Sequence, residues 1–214
     1  MKCEINVPDG ESGEWAISSF EISEDEASFY NMRQLFSGAR TGVNRAIKAG
    51  GYKRLTCHKG VVMSNTPAEI SEHMPFFHAA IKANQTESGL RFLINGLGLG
   101  MLIQMLMNDS IWENIEKIIV VEKSKDVIAL AAPTYESEKV EIIHADALEY
   151  KPEKGSRFSA VWHDIWTEIC TDNYDDMKAL HRKYGRLTDW QGSWSREYVE
   201  RMIREERREQ AYYL

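Results

Sequence analysis

An apolar run that breaks into alternating glycines is the feature of this 214-residue chain that most constrains its fold. Residues Leu90–Ile94 have the length and character of a buried parallel strand, and Met101–Met107 continue with helical periodicity. Between them lie Gly96, Gly98 and Gly100. Glycine permits unusual dihedrals and close approach of a ligand, and the following helix presents unpaired N–H groups. The segment therefore predicts a nucleotide-type cofactor loop in an α/β fold.

The spacing of these glycines separates one class of cofactor from another. In the dinucleotide fingerprint G-x-G-x-x-G/A, the third small residue would fall here at Met101. The chain instead has G-x-G-x-G, which resembles the loop of class I S-adenosylmethionine (SAM) methyltransferases. That resemblance implies a Rossmann-like core that binds SAM or decarboxylated SAM. A dinucleotide oxidoreductase is a distant alternative.

Acidic residues follow two further apolar runs. Lys117–Val121 leads into Glu122, and an acid at the tip of a second strand can accept both hydroxyls of an adenosine ribose. Val140–Ile143 leads towards Asp146, which the methyltransferase resemblance assigns to the adenine amino group. The cofactor contacts implied in this way are Asn95, Gly96, Gly98, Gly100, Glu122, Asp146 and Ala147. The simpler alternative is a tight glycine turn with two acids that only cap helices.

A fourth apolar run, Arg157–Trp162, ends beside residues that can take part in catalysis or contact a substrate. Open α/β sheets bind ligands at the carboxyl ends of their strands, and a positioned acid can accept a proton from an amine or hydroxyl. Asp164 is therefore the candidate catalytic residue, although it could also cap a helix. Trp166 and His163 are candidate substrate contacts. His163 could instead be a packed residue at the strand end.

The chain before the glycine loop predicts a hairpin and a helix. Tyr52–Cys57 and Val61–Ser64 form the hairpin signal, and the periodicity of Glu24–Phe36 predicts a helix. Thr66 through Glu69 reads as a capping box with proline at the first helical position. The predicted apolar face of this second helix carries Ile70, Met74, Phe77 and Ile81.

This hairpin and helix resemble the segment that precedes the cofactor core in aminopropyltransferases such as spermidine synthase. Met63, Glu69 and His73 match the spacing of that family's G-V-x-Q, D-E and Y-H motifs, which implies that they contact substrate. Asp164 matches the first acid of the family's D-x-x-D-P loop. The departures are Met63 for the family glutamine, Ala68 for an acid, Glu72 for a tyrosine, Thr167 for the second acid and Glu168 for the proline.

Changes in composition and periodicity divide the chain into an extension (1–88), a cofactor core (89–170) and a helical carboxyl-terminal segment (171–214). The last segment predicts helices at Asn173–Tyr184 and Ser195–Tyr213, with no apolar strand between them. Because the methyltransferase family continues with further strands, we expect a reduced sheet whose edge is covered by the hairpin or by a partner subunit. Trp190 and Trp194 either pack the last helix, the favoured interpretation, or form a lid.

Charge and composition limit the binding partners and the location that we expect for this protein. The net charge of −7 opposes broad binding to nucleic acid or anionic membranes. No apolar run approaches the roughly 20 residues of a membrane span, and the first residues do not begin a signal peptide, so we expect a cytoplasmic protein. Cysteines and histidines show no metal-ligand or disulfide spacing. We expect a small-molecule acceptor as partner, and a homo-oligomer is compatible with the open sheet edge.

Three functions follow as hypotheses. The first is a SAM-dependent transferase that moves a methyl group to a small acceptor, for which an amine is one candidate. The second is an aminopropyltransferase that uses decarboxylated SAM, and the departures at Met63 and Thr167 count against it. The third is a protein that binds SAM without transfer chemistry.

Overall fold

The computed structural model describes residues 3–36 and 46–212, which form two β-sheets and the helices around them. An antiparallel sheet in the order β1-β2-β3-β4 comes first. Its strands are β1 (Gly10–Ser12), β2 (Trp15–Ile22), β3 (Gly50–Cys57) and β4 (Gly60–Ser64). Helix α1 (Glu24–Phe36) follows β2, and α2 (Pro67–Asn84) follows β4. The predicted hairpin is β3 and β4, and both predicted helices are present.

The second sheet is parallel and carries the glycine loop. Its strands are β5 (Leu90–Asn95), β6 (Ile115–Glu122), β7 (Val140–His144), β8 (Ala160–His163) and β9 (Gln191–Ser193), in the order β7-β6-β5-β8-β9. The helices are α3 (Met101–Met107), α4 (Lys125–Ala131), α5 (Asn173–Tyr184) and α6 (Arg196–Tyr212), with 3₁₀ turns at Ser110–Asn114 and Ala132–Tyr135. Strand order reverses between β5 and β8, where open α/β sheets bind ligands. The predicted Rossmann-like α/β class is confirmed by this topology.

Strand β9 corrects the prediction that no strand lies between the last two helices. Gln191–Ser193 is short and polar, so its sequence carries no apolar run. Pairing with β8 makes it a strand, because the Val161 amide donates to the Trp190 carbonyl at 2.9 Å and the Trp194 amide to the His163 carbonyl at 2.9 Å. Within the described residues, no antiparallel strand joins this five-stranded sheet.

Alternating side chains on the strands feed two hydrophobic cores, one on each face of the parallel sheet. On β5, Phe92 and Ile94 pack on the face that meets α2, while Leu93 packs on the face that meets α5. The first core also takes in Ile17 and Leu55 from the antiparallel sheet. The amino-terminal sheet is therefore packed against the parallel sheet, on the side where the site lies.

Helix α2 begins as the sequence predicts but without its predicted cap. Pro67 occupies the first helical position and Thr66 is the N-cap residue. The Thr66 side chain accepts no hydrogen bond from the helix and lies 3.0 Å from the Ser64 hydroxyl instead. The capping box is therefore wrong. In the predicted apolar face, Ile70 and Phe77 are buried.

Candidate functional site

A cavity of about 400 Å³ lies at the carboxyl ends of β5, β6 and β8, within the range of about 300–1,000 Å³ for small-molecule sites. Part of its lining, which we call the glycine-loop end, consists of Gly96, Gly98, Gly100, Glu122 and Asp146. Another part, which we call the hairpin end, consists of Met63, Glu69, His73, Asp164 and Trp166. One cavity therefore collects residues from the antiparallel sheet, α2 and successive strand ends of the parallel sheet.

All three glycines of the loop combine a positive φ with a close protein contact, as Gly96 and Gly98 illustrate. Gly96 has a φ of 102°, and a Cβ there would overlap the backbone carbonyl oxygen of Asp164. Gly98 has a φ of 52°, and a Cβ there would lie 2.7 Å from the Met63 sulfur. Side chains are disfavoured at such positive φ values. The loop thus sits tightly between the end of β8 and the hairpin, and Met63 covers it on one side.

Glu122 fixes the base of the glycine loop through both carboxylate oxygens. Oε2 accepts from the Leu97 amide at 2.9 Å, and Oε1 accepts from the Ser124 amide at 2.7 Å. A carboxylate can accept about four hydrogen bonds, so each oxygen keeps capacity for a hydroxyl of a ligand. Since Glu122 also lines the cavity, it can organise the loop and bind a ligand at once.

Asp146 is held in place at the end of β7. Its Oδ2 lies 2.8 Å from the Lys123 ammonium, and its Oδ1 accepts from the Leu148 amide at 2.8 Å. These two hydrogen bonds lower the pKa of the Asp146 carboxyl, and the bond from Lys123 has the larger effect. The Asp146 carboxyl therefore stays ionised. Ala147, the other cofactor residue expected here, is buried and lines the same wall.

The hairpin end is organised by a contact between α2 and the end of β8. His73 Nε2 lies 2.9 Å from Asp164 Oδ2, and the two side chains are only 2% and 9% exposed. His73 Nδ1 lies 2.8 Å from the Glu69 carbonyl oxygen. Burial by itself opposes a charge on His73, but the hydrogen bond and negative charge of Asp164 raise its pKa above the ordinary value. Two residues predicted separately are thus one buried pair.

Two predicted site residues lie away from the cavity. Asn95 and His163 end neighbouring strands, and their side chains contact each other at 2.8 Å between Asn95 Nδ2 and His163 Nδ1. His163 also contacts the rings of His181 and Tyr184, and burial lowers its pKa to about 3. Neither residue lines the cavity. Because neighbouring strand residues alternate in direction, Trp162 faces the cavity and His163 faces α5.

The two tryptophans of the carboxyl-terminal loop have different positions. Trp190 stacks on Trp162 with ring centroids 6.2 Å apart and an interplanar angle of 3°, and it contacts Phe76. This stack needs Gly192, where a Cβ would lie 2.7 Å from the Trp162 ring. Trp194 lines the cavity. Both indoles pack against the first hydrophobic core, as the favoured interpretation expects, and Trp194 also belongs to the wall of the site.

Sequence reasoning missed several residues that line the cavity: Trp15, Leu55, Val62, Leu148, Thr167 and Asp176. Trp15 was missed because β2 was not recognised as a strand. Its apolar alternation changes phase at Ser18 and Ser19, so that Ile17 and Phe20 fall on opposite faces. Two short apolar alternations around a serine pair were the available signal.

Comparison with known proteins finds solved structures that each match part of this chain. No protein-family model and no curated protein matches the sequence. Similar solved structures include the plantazolicin methyltransferase BamL in complex with SAH (16% identity, TM-score 0.42, 57% of this chain and 44% of that one). Others are a SAM-dependent methyltransferase from Mesorhizobium loti (16%, 0.40, 55% and 49%) and the [4+2]-cyclase SpnF (17%, 0.40, 56% and 42%). This chain spans less than half the length of each.

Two other kinds of feature are absent from residues 3–36 and 46–212. In these residues no helix combines the length and apolar character needed to cross a bilayer. Nor do three or more histidine, cysteine or acidic side chains in this part of the chain converge in a way that could hold a metal ion.

Proposed function

We propose that the cavity binds SAM and that the protein transfers its methyl group to a small, amine-bearing acceptor. The observation that carries this proposal is the convergence of the glycine loop, Glu122 and Asp146 on one cavity that also contains Asp164. The carboxyl ends of four neighbouring strands, β5, β6, β7 and β8, supply these groups, and open α/β sheets bind ligands at that edge. The site belongs to the topological switch point of the sheet.

The residues present fit a sulfonium nucleoside in three respects. Glu122 keeps acceptor capacity for ribose hydroxyls, and Asp146 is an ionised acceptor that suits the adenine amino group. The glycine loop lets a ligand approach its backbone wherever Met63 leaves it open. Trp162 and Trp166 both line the cavity, and each carries a buried indole N–H without a hydrogen-bond partner among the described residues, a state that a bound acceptor atom would relieve.

The protein's task is then to bind, align and exclude water. SAM carries its own electrophilic methyl group, so the chain need not supply one. Asp164 would accept a hydrogen bond from the acceptor nitrogen and hold it in line with the methyl group. Indole rings of Trp15, Trp166 and Trp194 would cover the reacting atoms and contact a cation through their faces. Water excluded by this wall would strengthen the electrostatic contacts inside.

A second candidate, aminopropyl transfer from decarboxylated SAM, is favoured by the charges that line the cavity. Among the described residues that line the cavity, Lys123 and His73 are the cationic ones. Both are paired, with Asp146 and Asp164 respectively, so no unpaired cation there awaits the carboxylate of SAM. An ammonium group near Glu69 and Asp164 would be better matched. Met63 and Thr167 still depart from the aminopropyltransferase pattern.

Calorimetric titration of the whole chain with SAM, S-adenosylhomocysteine, decarboxylated SAM and NAD separates these candidates. The proposal expects saturable binding of SAM and S-adenosylhomocysteine and none of NAD. Tighter binding of decarboxylated SAM would favour aminopropyl transfer instead. Binding of NAD alone would overturn the account of the cavity. Binding of SAM with no S-adenosylhomocysteine formed against a panel of primary and secondary amines would leave a binding protein without transfer.

A further inference from the structure

We infer that His73 is a positioning residue that carries a positive charge and holds Asp164 as an oriented carboxylate. The role assigned to Asp164 rests on the proposed function, whereas the state of the pair does not. In this arrangement Asp164 is an acceptor of hydrogen bonds and a partner for a cation. It is not a strong base that removes a proton from the acceptor.

The contacts of the His73 ring determine how many protons the His73–Asp164 pair carries. His73 Nδ1 lies 2.8 Å from the Glu69 carbonyl oxygen, which can only accept, so Nδ1 carries a hydrogen. His73 Nε2 lies 2.9 Å from Asp164 Oδ2, and a hydrogen must lie between these atoms as well. The pair is therefore either imidazolium with carboxylate or neutral imidazole with carboxylic acid.

The groups around the His73 ring decide between these two forms. The charged groups that face His73 are Asp164, at the end of β8, and Glu69, on its own helix, and both are acidic. Trp162 packs beside the His73 ring, with centroids 6.0 Å apart, and brings no charge. Burial opposes the ionised form, yet the two acids outweigh it and raise the His73 pKa. The geometry and its charges favour imidazolium with carboxylate.

The two oxygens of the Asp164 carboxylate have different surroundings. Asp164 Oδ2 is taken by His73, while Oδ1 makes no hydrogen bond with any residue that the structure describes. The Asp164 backbone is fixed too, since its amide donates to the Asn95 carbonyl at 2.7 Å and its carbonyl packs against Gly96. One oxygen of a doubly anchored carboxylate in the cavity thus remains for a ligand.

This state determines the chemistry that Asp164 can do. Transfer of a proton to Asp164 would leave the buried His73 imidazolium without its counter-charge, so Asp164 acts as a hydrogen-bond acceptor. During methyl transfer the acceptor nitrogen forms a bond to carbon, and the electron pair of the breaking carbon–sulfur bond goes to sulfur. The positive charge moves from sulfur to nitrogen. The proton stays on that nitrogen, hydrogen-bonded to Asp164, which stabilises the new cation.

The test is NMR titration of the histidine side chains in the ligand-free whole chain and in Asp164→Asn. In the wild type we expect a His73 midpoint above 6.5, with both ring nitrogens protonated below that midpoint. In Asp164→Asn the charge is lost while the ring stays buried, so the midpoint should fall below 6.5. His181, whose pKa burial lowers to about 4, is the internal control, and its midpoint should be equal in both proteins because Asp164 does not act on it.

A wild-type midpoint at or below 6.5 would overturn the inference, and this measurement needs no variant. An Asp164→Asn midpoint equal to that of the wild type would overturn it too. SAM calorimetry on the same samples separates the two proposals. A charged His73 in a protein that does not bind SAM would refute the proposed function and leave the pair intact. SAM binding with a neutral His73 would do the reverse.

Discussion

The two ends of the cavity are built by different means. At the glycine-loop end, the acids follow strands of one parallel sheet, and each is fixed by backbone amides, as Glu122 is by Leu97 and Ser124. At the hairpin end, the decisive contact joins side chains 91 residues apart, His73 and Asp164. The first end takes its acids from the sheet topology, and Met63 of the hairpin adds only a contact with the glycine loop. The second depends on how an amino-terminal extension packs on that sheet.

This difference assigns separate tasks to the two ends. A cofactor needs a constant set of acceptors, which strand ends of a sheet provide in fixed positions. An acceptor pocket can change with the extension that covers it. We therefore expect mutations at the glycine-loop end to act on cofactor affinity and mutations at the hairpin end to act on turnover.

The largest expected effect is at the hairpin end. Asp164→Asn removes the carboxylate that would stabilise charge on the acceptor nitrogen, so turnover should fall roughly 10²–10³-fold. SAM affinity should change little, since the glycine-loop end is untouched. The measurement is S-adenosylhomocysteine formation with any amine that the panel identifies. Asp189→Asn, at an exposed carboxylate paired with Arg157, is the matched control. Full turnover in Asp164→Asn would remove Asp164 from the mechanism.

Glu122→Ala should have the next largest effect, on binding. The substitution removes charge-assisted hydrogen bonds worth roughly 1.5–3 kcal/mol each, so SAM should bind at least about 10-fold more weakly and up to about 100-fold or more. Calorimetry measures this, with the thermal midpoint as a check on folding. Glu141→Ala, at an exposed carboxylate on β7, should leave affinity unchanged. If affinity survives in Glu122→Ala, the ribose assignment is wrong.

Two histidines should give stability opposite dependences on pH. The His73 pKa is raised, so its contribution is complete below 6.5 and is lost as pH rises through the folded-state pKa. The His163 pKa is lowered to about 3, so its contribution is present above 6.5 and is lost as pH falls towards about 3. Urea unfolding across pH should show the alkaline loss weakened in His73→Gln and the acid loss weakened in His163→Gln. Identical profiles in all three proteins would contradict both assignments.

The smallest effect is expected for Lys123→Ala. The Lys123 side chain is 79% exposed, and ion pairs at such sites contribute only about 0–1 kcal/mol. Asp146 keeps its bond from the Leu148 amide, so SAM affinity should change less than about fivefold. Asp146→Ala, which removes the acceptor itself, should weaken SAM more than Lys123→Ala does. Calorimetry that ranks the two in the opposite order would move the adenine site elsewhere.

The contrast between the two ends also explains what the sequence could predict. Apolar runs with acids at their ends locate β5, β6, β7 and β8 and the residues Glu122 and Asp146. Burial on both faces gives β5, β6 and β8 a clear local signal, and the edge strand β7 keeps a partly buried apolar run. Strand β9 left none, since three polar residues become a strand only through pairing with β8. The extension, core and carboxyl-terminal boundaries stay predictions.

Side-chain direction was the other quantity that the sequence did not supply. Asn95 and His163 occupy the expected strand ends, yet their side chains face α5, because alternation places one residue towards the cavity and the next away from it. The pairing of His73 with Asp164 was likewise absent from either local pattern. Such contacts arise from tertiary packing, which no spacing within one segment encodes.

A crystal structure with S-adenosylhomocysteine bound tests the central claim most directly. We predict ribose hydroxyls within hydrogen-bond distance of Glu122, the adenine amino group at Asp146, and the sulfur directed towards the hairpin end, where His73 and Asp164 meet. A nucleoside bound elsewhere, or one whose sulfur faces away from Asp164, would contradict the account.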